Sequence, residues 1–153
     1  MKSSDNLRFS FSYIKRCSIC FCNSANKIDN KYFLINNSED LNKLITLIKK
    51  TGYFSIDTET NSLNIEEANL IGVSIAVNEN SAYYIPINHK NLEDNKRLNK
   101  QIKETELIKL LQPICNDPSI LKIGHNIKYD LRVFQKYNII VYHPEIMRTY
   151  PSL

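Results

Sequence analysis

The chain of 153 residues is long enough for one domain with a hydrophobic core, and 42% hydrophobic residues argues against a disordered protein. No apolar run approaches the roughly 20 residues that span a bilayer, and residues 1–6 lack the apolar core of a signal peptide, so we expect a cytoplasmic protein with no membrane partner. The net charge is +4, and the excess positive charge lies in the first 50 residues, which hold nine Lys or Arg and four Asp or Glu. Nucleic acid is therefore a compatible partner but not a required one.

The first 30 residues show no clear period, so we expect a poorly ordered leader or a linker remnant, followed by one domain over residues 31–153. This segment carries Cys17, Cys20 and Cys22, whose spacing is that of half a zinc site. A structural zinc ion needs a second ligand pair, and only Cys115 and three scattered histidines remain. Reduced thiols are therefore the preferred interpretation, and zinc remains the alternative.

The domain opens with a β-type run over residues 31–35, followed by a helix that Asn37 or Ser38 caps. Gly52 marks the end of this helix. Three strands come next, at about residues 54–60, 69–77 and 81–87, and the short connection between the last two predicts an antiparallel hairpin. The buried helix positions, at helical spacing, are Leu41, Leu44, Ile45 and Ile48.

Residues 89–103 are polar and mixed in charge, and a solvated loop or exposed helix is favoured over a binding patch. Thr105 is predicted to cap a helix that ends at Asn116-Asp117-Pro118. A strand over 120–126 and a helix over 127–137 follow, the helix burying Leu131 and Phe134, and residues 142–150 have weak helical spacing. The pattern predicts an α/β domain with a mixed sheet flanked by helices, lacking the usual final elements. The helix after Thr105 is predicted to carry Leu107, Leu110, Leu111 and Ile114.

Two carboxylates, Asp57 and Glu59, close a short apolar run. Residues two apart on a strand point to the same face, so these side chains are expected to lie side by side. Like charges placed together repel unless a cation lies between them, and carboxylate oxygens suit Mg²⁺. Asn126 and Asp130 lie four residues apart at a predicted strand-to-helix junction, so their side chains would project together. Asp130 would add a third carboxylate.

Four sequence blocks occur in chain order: FSIDTETNSL over residues 54–63, ANLIGVS over 68–74, AYYIP over 82–86 and KIGHNIKYD over 122–130. The first block contains the two carboxylates of the strand, and the last contains the strand-to-helix junction. From about Tyr32 onward the chain resembles the 3′–5′ proofreading exonuclease domain of family A, DNA polymerase I-like bacterial polymerases. The resemblance implies an RNase H-like fold of the DEDD superfamily and hydrolysis of DNA 3′ ends in replication and repair.

The resemblance also implies roles for individual residues. Asp57 would bridge two divalent ions, Mg²⁺ or Mn²⁺, while Glu59 would bind the ion that activates water and Asp130 would hold the other. Leu63 and Asn126 match positions that contact the single-stranded 3′ end. The alternatives are solvated acids for Asp57 and Glu59, a helix-terminal acid for Asp130, a helix cap for Asn126 and core packing for Leu63.

The family's third motif, Tyr-x-x-x-Asp, does not occur in order before residue 153. Its Asp completes the metal site and its Tyr orients the attacking water, so we expect the isolated chain to be impaired. A polymerase or another chain would then supply the missing C-terminal part. The alternative is a truncated, inactive relic, or a module that binds nucleic acid or protein without catalysis.

Overall fold

The computed structural model describes residues 31–78, 80–91, 94–125, 127–142 and 144–147. The predicted leader with Cys17, Cys20 and Cys22 lies outside these residues, and so does Asn126. Cys115 is a buried free thiol, as expected.

Six strands and three helices follow one another within the described residues. In chain order they are β1 (Lys31–Leu34), α1 (Ser38–Thr51), β2 (Tyr53–Thr60), β3 (Leu70–Asn78), β4 (Ser81–Pro86), α2 (Glu104–Asn116), β5 (Leu121–His125), α3 (Lys128–Lys136) and β6 (Pro144–Met147).

The strands form one mixed sheet in the order β1-β4-β3-β2-β5-β6. Strands β2, β3 and β4 are antiparallel neighbours, which confirms the predicted hairpin. The outer pairs β1–β4, β2–β5 and β5–β6 are parallel. The predicted fold class, a mixed sheet flanked by helices, is therefore correct, and β2 lies at the centre of the sheet.

Helix α1 forms where local signals agree. The Asn37 side chain accepts a hydrogen bond from the Asp40 N–H at 2.9 Å, which satisfies a donor that the helix leaves unpaired. Gly52 ends the helix with a positive φ of 73°, a conformation that glycine adopts without steric cost. All four predicted inward positions, Leu41, Leu44, Ile45 and Ile48, are buried.

One face of the sheet carries the main core. Side chains alternate along a strand, so Phe54 and Ile56 of β2 share a face with Val73 and Ile75 of β3. These residues form one buried cluster with apolar side chains of all three helices. The opposite face of β2 carries Ser55, Asp57 and Glu59, so the main core lies behind the candidate site.

Three local predictions were wrong. Residues 144–147 form an edge strand paired in parallel with β5, not part of a helix, because pairing across the sheet outweighs weak helical spacing. Helix α2 begins at Glu104 without a side-chain cap, so Thr105 lies inside the helix. Leu131 is only half-buried, whereas Val133 is fully buried.

The polar segment after β4 is a loop, as favoured, braced by a β-bridge between Lys90 and Arg97. The Arg97 guanidinium donates to the carbonyls of Ile87 and Ile102 at 2.7 and 3.0 Å. Among the helices that the structure describes, none combines the length and apolar character needed to cross a membrane.

Candidate active site

The two carboxylates of β2 project from the central strand on the face opposite the main core. Asp57 and Glu59 are both half-buried. In the register with β3, Asp57 lies opposite Ser74 and Glu59 lies opposite Gly72. Neither neighbour on β3 has a large side chain of its own, although the ring of Tyr84 packs over Gly72.

Asp130, in the first turn of α3, is brought to the same strand. The backbone N–H and the hydroxyl of Thr58 both donate to Asp130 Oδ1, at 2.9 and 2.5 Å. Asp130 is only 3% exposed, so these two donors orient a buried carboxyl group at Thr58, the residue between Asp57 and Glu59 in the sequence. The alternative role, an acid that the helix dipole favours, is compatible with this position in the first turn of α3.

Burial and neighbouring acids together set the electrostatics of the site. Burial, followed by the neighbouring carboxylates of Asp130 and Glu59, raises the pKa of Asp57 from 3.8 to about 7. Burial also raises the pKa of Asp130, against the hydrogen bonds from Thr58, which favour its ionised form. A site in which ionisation is disfavoured by adjacent negative charge is one that a cation would stabilise.

The donor set suits a hard divalent cation. All three acids offer carboxylate oxygens, the ligands that Mg²⁺ and Mn²⁺ prefer. As the side chains stand, no group of three His, Cys, Asp or Glu within the described part of the chain converges on one ligand position. Ligation therefore requires the side chains to rotate toward a common ion, starting from positions already close enough to raise the pKa of Asp57.

Leu63 lies in the loop between β2 and β3, and its side chain is 92% exposed. Core packing, the alternative role, is therefore excluded. An isolated leucine at this exposure, four residues after Glu59, is available to contact a ligand at the site. Asn126, the other predicted substrate contact, lies outside the described residues.

Three side chains at the two ends of α3 hold the Leu63 loop, and the sequence reasoning missed all of them. The Tyr129 hydroxyl is 2.6 Å from Thr60 Oγ1 and donates to the Ser62 carbonyl at 2.7 Å. At the other end of the loop, Lys136 Nζ donates to the carbonyls of Ile65, Glu66 and Ala68 at 2.9, 3.1 and 2.5 Å, and Tyr137 accepts from the Leu70 N–H at 3.1 Å. The helix that supplies Asp130 thus also fixes the loop that presents Leu63.

A buried tyrosine borders the Glu59 side of the site. The ring of Tyr84 lies against Gly72, where an added Cβ would be 2.1 Å from the hydroxyl oxygen. The same hydroxyl is 2.6 Å from His89 Nε2, and burial lowers the pKa of His89, which favours its neutral form. Gly72 is thus required for the close approach of Tyr84 to β3 at the position opposite Glu59.

A polar cleft opens at this end of the sheet, with a volume of about 570 Å³. Its lining includes Asn61 from the Leu63 loop together with His89, Lys90 and Arg97 from the loop after β4. The cleft therefore lies between the loop that follows β2 and the basic loop that follows β4.

Comparison with known proteins gives a consistent result. The family model described as 3′–5′ exonuclease matches residues 32–150. DNA polymerase I of Rhizobium leguminosarum is 31% identical over 121 residues, covering 71% of this chain and 12% of the relative. DNA polymerase I of Borreliella burgdorferi is 38% identical over 108 residues, covering 69% and 11%. The chain thus spans about a tenth of the length of these curated relatives.

Solved structures share the fold at low sequence identity. The Trypanosoma brucei RNase D complex with RNA U12 matches with a TM-score of 0.61 at 10% identity, covering 86% of this chain and 40% of that one. Escherichia coli RNase D matches with a TM-score of 0.55 at 19% identity, covering 76% and 27%. The fold is therefore the RNase H-like fold expected from the sequence.

Proposed function

Because this chain belongs to the 3′–5′ exonuclease family, we propose that it hydrolyses phosphodiester bonds at DNA 3′ ends with two divalent metal ions. The observation that carries the proposal is the grouping of Asp57, Glu59 and Asp130: burial first, and then the charges of Asp130 and Glu59, raise the pKa of Asp57 to about 7. Acidic side chains that take no part in a site lie apart on the surface, where water solvates each charge separately.

Each acid has a role in this proposal. Asp57 would be shared by both Mg²⁺ or Mn²⁺ ions, Glu59 would serve the ion beside the attacking water, and Asp130 would hold the other. When bound, such a pair stabilises the charge that develops on the attacking and leaving oxygens. Thr58 keeps the Asp130 carboxylate oriented, so less reorganisation is needed when the substrate arrives.

The substrate in this proposal is a single-stranded 3′ end. Leu63 would pack against the terminal base, and Asn126 would contact the same nucleotide. Stacking and backbone contacts of this kind tolerate any base, as removal of mismatched ends requires. The exposure of Leu63 supports the role, because a wedge must reach beyond the protein surface.

We further propose that the activity operates beside a polymerase in the cytoplasm, during proofreading in replication and repair. A longer protein or a partner chain would supply the polymerase and the acid and tyrosine of the family's third motif. The DNA polymerase I relatives support this arrangement, since the matched region is about a tenth of their length.

The proposal is tested by nucleotide release from a 3′-labelled single DNA strand with Mg²⁺, with Mn²⁺ and with EDTA. We expect slow metal-dependent release, since the acid and tyrosine of the third motif are proposed to come from elsewhere, and Asp57→Asn and Asp130→Asn should each abolish it. Asp94→Asn, which removes an acid from the exposed pair with Lys96, is the matched control and should leave the rate unchanged. An RNA strand of the same sequence measures the sugar preference.

The alternative is a module without catalysis. If the wild-type chain binds the labelled strand but releases no nucleotide with either metal, even at high protein concentration and long incubation, the chain has no activity of its own and the binding module is favoured. If release occurs equally in wild type and Asp57→Asn, the assignment of the site is wrong.

A further inference from the structure

Ser74 of β3 has a buried hydroxyl group without a hydrogen-bond partner in the structure. Its side chain is 1% exposed, and Oγ lies within bonding distance of no donor or acceptor among the described residues. A buried polar atom left unpaired destabilises a fold by roughly 1–3 kcal/mol. Most such atoms have partners, so an exception needs an explanation.

The strand register identifies the acceptor that is available to this hydroxyl. Ser74 lies directly opposite Asp57 on β2 and opposite Tyr84 on β4, and directly paired residues share a face of the sheet. The Tyr84 hydroxyl is at the far end of its ring, next to His89. The Asp57 carboxylate is therefore the acceptor that the register places beside Ser74 on the same face, and another staggered position of the serine side chain would turn its hydroxyl toward it.

The neighbours of Ser74 argue against a simple need for a small residue. On this face of β3, Gly72 lies opposite Glu59 and Ala76 lies opposite Ser55. Neither of these small neighbours has a polar side-chain atom, so small size alone does not explain a hydroxyl group at Ser74. The hydroxyl occurs at the position paired with the carboxylate that the proposed function assigns to both metal ions.

We propose that Ser74 is a positioning residue that donates a hydrogen bond to the ionised Asp57 carboxylate when a divalent cation binds. The donated bond fixes one carboxylate oxygen and leaves the other directed toward the ion. Hydrogen bonds that orient a ligating group in this way commonly change metal affinity by tenfold or more. The inference rests on the proposed function, because it requires Asp57 to bind the metal.

The test is calorimetric titration of Mn²⁺ into the full chain, without nucleic acid and without an activity measurement. We expect Ser74→Ala to weaken Mn²⁺ binding about tenfold, the value of one charge-assisted hydrogen bond. Ser55→Ala is the matched control, since it removes another buried hydroxyl from the same face that is not paired with Asp57. It should change the affinity by about twofold or less.

Urea denaturation in EDTA separates this role from a structural one. Removing an unpartnered buried hydroxyl should leave the free energy of unfolding of Ser74→Ala equal to or above that of wild type. A loss of stability in EDTA with unchanged Mn²⁺ affinity would overturn the inference.

Two further outcomes distinguish this inference from the proposed function. If Asp57→Asn abolishes Mn²⁺ binding while Ser74→Ala binds as wild type does, the serine role is wrong and the metal site stands. If wild type binds no Mn²⁺, or Asp57→Asn binds normally, the metal site itself is wrong and the serine role fails with it.

Discussion

Thr58 donates two hydrogen bonds to a single oxygen of Asp130, one from its backbone N–H at 2.9 Å and one from its hydroxyl at 2.5 Å. The two residues are 72 positions apart, so this contact joins the strand of Asp57 to the helix of Asp130. Two donors on one carboxylate oxygen fix the orientation of the group. The third acid of the site is thus held in place by the strand that carries the other two.

Replacing Thr58 with valine should destabilise the protein. The substitution keeps the shape of the side chain but removes the hydroxyl donor, so the buried Asp130 carboxyl group loses a partner and its pKa rises further. We expect a loss of about 1–3 kcal/mol in the free energy of unfolding, measured by urea denaturation at neutral pH. Thr58→Ser, which keeps the hydroxyl, should retain most of the stability. A Thr58→Val variant as stable as wild type would show that the hydroxyl hydrogen bond contributes nothing to stability.

The stability of the chain should decrease with rising pH when divalent ions are chelated. Asp57 has a folded-state pKa of about 7, above its ordinary value of 3.8. The folded state binds the Asp57 proton more tightly than the unfolded state does, and this stabilises the fold fully below pH 3.8. The stabilisation is lost as the pH rises through about 7. Burial raises the pKa of Asp130 in the same direction.

This pH dependence is measured by urea denaturation in EDTA at about pH 5 and about pH 8, which bracket the titration. Asp57→Asn should reduce the difference between the two conditions, because the amide does not titrate. Asp94→Asn, at the surface, should leave the difference as in wild type. If Asp57→Asn and wild type lose the same stability, Asp57 does not titrate in this range. Excess Mg²⁺ should restore stability at the higher pH in wild type only.

Gly72→Ala should disturb the Glu59 side of the site. The new Cβ would lie 2.1 Å from the Tyr84 hydroxyl oxygen, and the ring carbon atoms that approach within 3 Å leave it no space. Overpacking of this kind destabilises a fold by about 1–3 kcal/mol, and the thermal midpoint should fall accordingly. Adding Tyr84→Leu should make the combined loss smaller than the sum of the two single losses, because the clash is then absent. Strict additivity of the two losses would contradict the contact.

The local elements could be predicted because their signals lie close together in the sequence. Helix α1 has its cap at Asn37, its apolar spacing and its final Gly52 within 16 residues. The placement of Asp57 and Glu59 on one face follows from strand alternation alone. β6 could not be predicted in this way, because four residues at a sheet edge owe their conformation to pairing with β5.

The supporting contacts of the site could not be read from the sequence. Tyr129 resembles a core residue by type, yet its hydroxyl contacts Thr60 and Ser62 across 69 and 67 positions. Lys136 resembles an exposed end-of-helix cation, yet it binds three carbonyls of a distant loop. Periodicity reports which face of an element is buried, but not which polar atoms meet across the fold.

Lys136→Met should loosen the Leu63 loop without unfolding the domain. The ammonium group donates to the carbonyls of Ile65, Glu66 and Ala68, and methionine keeps the apolar stem but cannot donate. We expect a small change in global stability, within about 1 kcal/mol, since the group is near the surface. Amide exchange at Glu67 and Ala68, whose N–H groups donate to the Asn64 carbonyl, should become faster.

A loosened loop should also weaken substrate binding, if Leu63 contacts the terminal base as proposed. The KM for a single-stranded 3′ end should rise several-fold while kcat changes less, because Lys136 is not among the proposed metal ligands. Arg132→Met, an exposed cation on the same helix, is the matched control for lost positive charge. An equal rise in KM in both variants would mean that the effect comes from general attraction of nucleic acid. A rise in Lys136→Met alone, with faster exchange at Glu67 and Ala68, would tie substrate binding to the order of this loop.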